Sequence, residues 1–170
     1  IAGGRFELDG ALHTLGRNDG PNTLHGGADG FMGRTWQVGA ARDGVVLEPI
    51  SPDGDQGFPG QLTVRATHTI DESVLTLQYE AKTDAPTVLN LTNHAYFTLD
   101  CTNLLDASLQ VQADTVLLTD EHQIPVGGSQ PVDTTAFDVR AARSLREVLA
   151  TDEPQLHGAG GLDHSFVLNA

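Results

Sequence analysis

The chain has 170 residues, the size of one domain and enough to bury a core without covalent staples. Nine Lys+Arg stand against 23 Asp+Glu, a formal net charge of −14. Nucleic acid is therefore not an expected partner, because a phosphate-backbone binder needs a basic face. No apolar run approaches the roughly 18 residues of a membrane-spanning helix, so no membrane is expected, and one cysteine, Cys101, excludes an internal disulfide framework and a Cys-based zinc site.

The charge has two readings. One is a halophilic or cation-rich setting. The other is a solvated surface with Arg favoured over Lys, since Lys82 is the one lysine. Neither decides function. No signal-peptide pattern precedes the first strand-like segment, and the cytoplasm is the expected compartment. The chain opens on Ile1 and closes on the strand-like run Phe166-Val167-Leu168-Asn169-Ala170. Both ends therefore read as cut.

Turn and strand signals recur along the chain. Arg5 to Leu8, Asp9-Gly10 and Ala11 to Leu15 predict a hairpin, because Asp-Gly supplies the positive φ of a tight turn. Thr35 to Val38 and Val45 to Glu48 flank Asp43-Gly44 in the same manner. Leu62, Val64, Ala66, His68 and Ile70 alternate with polar residues. Leu75, Leu77, Tyr79 and Ala81 do the same after Asp71-Glu72-Ser73, which predicts a half-buried antiparallel pair. Further strands are expected at Thr87 to Phe97, Ala107 to Ala113, Thr115 to Leu118 and His164 to Leu168. One helix is expected within Ala141 to Ala150, where Leu145, Val148 and Leu149 share a face. Many short strands with almost no helix predict an all-β sandwich or barrel.

Four segments can carry chemistry. Gly20-Pro21-Asn22-Thr23-Leu24-His25-Gly26-Gly27 presents an imidazole between residues that allow close backbone approach. A surface turn with an incidental histidine would look the same. Leu89 to Phe97 places Asn90, Thr92, His94 and Tyr96 on one face if it is a strand. That face can hydrogen-bond a ligand or move a proton, or it can be an ordinary solvent face. Gly160-Gly161-Leu162-Asp163-His164-Ser165-Phe166 sets a carboxylate and an imidazole on opposite faces, His164 with Phe166 and Asp163 with Ser165. It also reads as a loop-to-strand junction with a structural aspartate. Ile50 to Gly60 contains Asp53-Gly54-Asp55 but lacks the closing glutamate of a calcium loop, so turn chemistry explains it better. The seven histidines form no close-spaced pair, so no metal is expected. A Gly-x-Ser-x-Gly elbow is lacking too.

Taken in order, these motifs resemble the aldose 1-epimerase family. The residues that carry the likeness are Ile1 to Phe6, Gly20 to Gly27 with Gly30-Phe31 and Trp36, and Ser51 to Gly54 with Gly57 to Gly60. Leu91-Thr92-Asn93-His94-Ala95-Tyr96-Phe97 is the most characteristic. Pro125 to Gly127, Thr135 to Asp138 and Leu162 to Phe166 complete the series. The resemblance implies a large antiparallel β-sandwich, incomplete at both ends, with residues 1–170 as a single partial sandwich domain. It implies anomer interconversion of free aldohexoses, with a small aldose as partner and neither organic cofactor nor metal.

Residue by residue, the resemblance makes His94 the general acid that protonates the ring oxygen. His25 becomes a substrate-binding histidine and Asp163 a carboxylate that holds sugar hydroxyls. His164 is read as structural. The family's catalytic base is a glutamate downstream of the Asp-His-x-Phe segment, and no glutamate of this chain matches it. The family's substrate-binding arginine, in an Ala-Asn-Arg motif, is likewise unmatched. The chain alone is thus expected to lack the base. Two other readings stay open: a non-catalytic sugar-binding module, and an epimerase of phosphorylated hexoses, which would call for added Arg or Lys.

Overall fold

The computed structural model describes residues 1–98 and 102–169, and the chain divides into two compact units, 1–94 and 95–170. Cys101 lies outside the described residues.

The first unit opens with β1 (Arg5–Leu8) and β2 (Ala11–Thr14), an antiparallel hairpin with Leu8 opposite Ala11. Asp9 and Gly10 form its two-residue turn at φ 51° and 77°. Two successive positive φ values match the right-handed twist of the arms, so the expected turn is the one that forms. The main sheet follows: β3 (Gln37–Ala41), β4 (Gly44–Glu48), β5 (Ile50–Ser51), β6 (Leu62–Asp71) and β7 (Val74–Thr83). The order is β3-β4-β6-β5, and β7 takes the other edge of β6, all antiparallel. Pro49 separates β4 from β5 because it has no N–H to give the ladder. Its carbonyl still accepts from the Val64 N–H at 3.3 Å.

β6 and β7 pair through all ten residues, from Leu62 opposite Thr83 to Asp71 opposite Val74. The predicted alternation holds along this register. Val64, Ala66 and Leu62 are buried, whereas Thr63 and Arg65 face solvent. The apolar face loses its cover toward the far end, where Ile70 and Leu75, opposite each other, are exposed.

At Asp43-Gly44 the structure corrects the expected mechanism. Asp43 alone takes the positive φ, 58°. Gly44 is already in β4, opposite Thr69, and a Cβ there would run into the carbonyl of His68. Glycine is needed for close approach of two strands, not for its turn angle.

The second unit contains β8 (Ser108–Leu109), β9 (Ala113–Thr119), β10 (Pro125–Pro131), β11 (Arg143–Ser144), α1 (Leu145–Leu149), α2 (Pro154–Gly158) and β12 (Phe166–Leu168). β9 is central to β10-β9-β12, and β11 pairs β8. The core is Val116, Val132, Ala136, Phe137, Val139, Val148 and Leu156, with Leu109, Val111, Leu162 and Phe166 packed on it. Arg140 braces the rim by donating to Asp114, Asp133 and Asp138.

Several expected elements change. The strand at Ala107 to Ala113 shrinks to β8, and Ala113 opens β9 instead. The helix is only Leu145–Leu149, because Ser144 ends β11 and starts α1 through a capping box with Glu147. β10 and α2 were not expected from sequence. Gly127, Gly128 and two prolines mask the first, and five residues are too few for a helical period in the second. Thr87 to Phe97 belongs to none of the sheets formed among the described residues.

Candidate functional site

The first unit carries a cleft of about 1200 Å³. Its floor is the apolar face of the main sheet, from Leu47, Ala66, His68 and Tyr79. One wall is the 23–36 segment and another is 87–94. His25 and His94 line it together. Their ring centroids are 5.2 Å apart and their planes stand at 84°, an edge-to-face contact. Both residues are exposed.

Backbone geometry aims His25. Its φ is 52°, a left-handed value uncommon for a residue with a Cβ, and Gly26 and Gly27 follow at 84° and 100°. The Gly27 N–H donates to Leu24 O at 3.0 Å and the Gly30 N–H to Gly27 O at 3.2 Å. Gly30 sits against the His25 carbonyl so closely that a Cβ there would collide with it. Two stacked turns thus fix the main chain on both sides of the imidazole. Asn18 adds a brace outside them, accepting from the Leu24 N–H at 2.9 Å and donating to Leu24 O at 3.0 Å.

A polar cluster lies below these turns. The Asp55 carboxylate takes two donors from the Arg34 guanidinium, one at 2.7 Å and one shorter, and accepts from the Ser51 hydroxyl. Arg34 also donates to the backbone carbonyl of Asp29 at 2.8 Å and to its carboxylate at 3.2 Å. The guanidinium and the serine hydroxyl hold the Asp55 carboxyl below its usual range against the opposing effect of burial. Sequence reasoning treated this stretch as turn chemistry. That holds for Asp53, whose carboxylate accepts from the Gly60 N–H at 2.6 Å. Asp55 is different, and the signal available for it was an arginine standing between Phe31 and Trp36 in the neighbouring motif.

Trp36, the single tryptophan, donates its indole N–H to Phe31 O at 2.9 Å and meets the Phe31 ring edge-on at 5.8 Å. It lines the same cleft.

Asp163 belongs to the second unit. It is exposed, and its N–H donates to His164 Nδ1 at 3.2 Å. On either side of it, Leu162 packs on the core and the His164 ring lies 4.6 Å from Phe137. Phe166 meets the same Phe137 ring at 6.3 Å. His164 and Phe166 thus share the inward side while Asp163 points out, as the alternation predicts. Burial pushes the His164 pKa down against the pull of Asp163 and Glu153. His164 therefore serves the fold as a neutral ring. No group of three metal-ligating side chains occurs among the described residues, and no helix among them is long and apolar enough to cross a membrane.

Antiparallel sheets with few helices carry a cleft in which two imidazoles meet. The aldose 1-epimerase family profile matches residues 1–170, and the chain belongs to that family. It is 41% identical over 171 residues to galactose mutarotase of Homo sapiens and 39% identical over 174 residues to aldose 1-epimerase of Escherichia coli K12. These alignments take in 99% and 100% of this chain but 48% and 50% of the two relatives. Among solved structures it is similar to galactose 1-epimerase from Lactobacillus acidophilus, with TM-score 0.88 and 34% identity over 99% of this chain and 52% of that one. An aldose epimerase homologue from C. elegans gives TM-score 0.87 and 31% identity over 100% and 52%. The chain spans about half the length of the curated relatives it matches.

Proposed function

We propose that this chain supplies the acid side of an aldose 1-epimerase, which interconverts the α and β anomers of free aldohexoses such as glucose and galactose. The observation that carries the reading is the meeting of His25 and His94 in one cleft of a family member.

Mutarotation opens a hemiacetal. One group takes the proton of the anomeric hydroxyl while another protonates the ring oxygen. The C1–C2 bond turns, the ring recloses on the other face and both protons return. His94 is the acid that protonates the ring oxygen, and an imidazole suits that task near neutral pH. His25 hydrogen-bonds the sugar and holds it against His94. Asp163 takes sugar hydroxyls as an exposed carboxylate. The base is not assigned to any of the seven glutamates, none of which has a matching context. The sugar is the unphosphorylated kind, because the cleft's arginine, Arg34, is already committed to Asp55 and Asp29. The cytoplasm is the compartment proposed for the reaction.

Polarimetry on freshly dissolved α-D-galactose tests this. A complete relative sets the reference rate. This chain should bind the sugar yet run about 10²–10⁴-fold slower, the usual loss when one member of an acid/base pair is missing. Failure of galactose and glucose to perturb either imidazole at any concentration would remove the assignment.

A further inference from the structure

We propose that Gln56, together with Arg34, is a positioning residue that sets the aim of the His25 imidazole by clamping Asp29. The proposal deepens the reading above, but its structural half stands without it.

Gln56 itself sits at φ 52°, inside the short 3₁₀ turn Asp55–Gly57. A glutamine pays for that conformation only where surrounding contacts over-determine it, and such outliers gather at functional sites. Its Oε1 accepts from the Asp29 N–H at 3.1 Å. The neighbouring Asp55 carboxylate anchors Arg34. Arg34 in turn holds the Asp29 carbonyl and carboxylate. Asp29 is therefore held at its N–H from one side and at its C=O from the other. The same glutamine packs so tightly on Gly27 that a Cβ there would lie 2.6 Å from Oε1. Gly27 closes the turn that carries His25 and Asp29 lies in the turn that follows, and the His25 side chain contributes no hydrogen bond to that clamp. The imidazole itself thus stays available to a ligand while its backbone is fixed from below.

The consequence is specific. Loosening the clamp should move the His25 ring relative to His94 in the folded chain. A misplacement of about 1 Å is enough to cost a large factor in a reaction that depends on alignment. Gln56→Ala removes the acceptor of the Asp29 N–H. Gln56→Glu keeps an acceptor for the Asp29 N–H. Arg34→Lys keeps the cation but loses the fork that reaches Asp55 and Asp29 together.

The test is NMR of the full chain with labelled histidine, the His25 signal being assigned by its loss in His25→Gln. Gln56→Ala and Arg34→Lys should shift the His25 and His94 ring signals and leave those of His122 and His157, in the other unit, unmoved. Gln56→Glu should return His25 toward its wild-type position. Titration with D-galactose should give an apparent Kd about tenfold weaker in Gln56→Ala. His25 signals unchanged in both Gln56→Ala and Arg34→Lys overturn the proposal. If Gln56→Ala unfolds, Arg34→Lys carries the decision alone. A wild-type chain whose His25 and His94 ignore galactose, while Gln56→Ala still moves His25, overturns the sugar reading and leaves the clamp standing.

Discussion

At the scale of single residues, glycines that look alike in sequence do different work. Gly10 holds φ 77° with nothing near the place of a Cβ. Gly44 has ordinary dihedrals but lies against the His68 carbonyl. Gly10→Ala should cost about 1–2 kcal/mol from its left-handed backbone, and Gly10→Asn should restore most of that, since asparagine tolerates the region. Gly44→Ala should cost about 1–3 kcal/mol or more by forcing β4 off β6, and Gly44→Asn should be worse. Urea melts of the four variants separate the mechanisms. The histidines follow a similar division. His25 and His94 are exposed in the cleft, whereas His164 is packed against Phe137. His94→Asn should abolish any rate enhancement and leave galactose affinity within about fivefold, because one neutral hydrogen bond is worth only about 1 kcal/mol. Polarimetry and a binding titration read the two separately.

At the scale of elements, the β-hairpins are the most local part of the fold. Their registers are set by two-residue turns, at Asp9-Gly10 and Glu72-Ser73, and by alternation that only one register can satisfy. For that reason Leu62 to Ala81 could be laid out from sequence almost residue by residue. The Thr87 to Phe97 segment has equally strong strand formers, yet a strand exists only when a neighbour accepts its ladder, and residue preference says nothing about neighbours. α1 is short because its start is fixed by the Ser144–Glu147 capping box. Ser144→Ala should lower stability by about 1 kcal/mol, visible as a reduced denaturant midpoint at unchanged slope. The larger element-scale loss should come from Phe137, which is 1% exposed and joins Val116, Val132 and Val148 in one cluster. Phe137→Ala should cost about 3–5 kcal/mol.

At the scale of the whole molecule, His164 and Asp55 tie stability to pH in the same direction. The folded state lowers the His164 pKa from 6.5, so it binds that proton less readily than the unfolded chain does. Its contribution is complete above the unfolded value and is lost as pH falls from there through the folded pKa. Asp55, lowered from 3.8, contributes fully above that value and loses its contribution as pH falls below it. The melting temperature should therefore drop between pH 7 and 5, and again below pH 4. His164→Phe should flatten the first step and leave the second. Equal slopes between pH 7 and 5 in wild type and His164→Phe would show that the buried ring is not the cause. The sequence by itself determined what is local or cumulative: the turns, the alternation, the all-β class and the family, whose motifs follow one another in order along the whole chain. It also named His25, His94 and Asp163. The tertiary structure alone decided that His25 and His94 face each other at 5.2 Å, and that Arg34, Asp55 and Gln56 grip the turn between them. Such meetings depend on how distant segments pack on a sheet, and a pair of side chains far apart in sequence leaves no periodicity by which to read its contact.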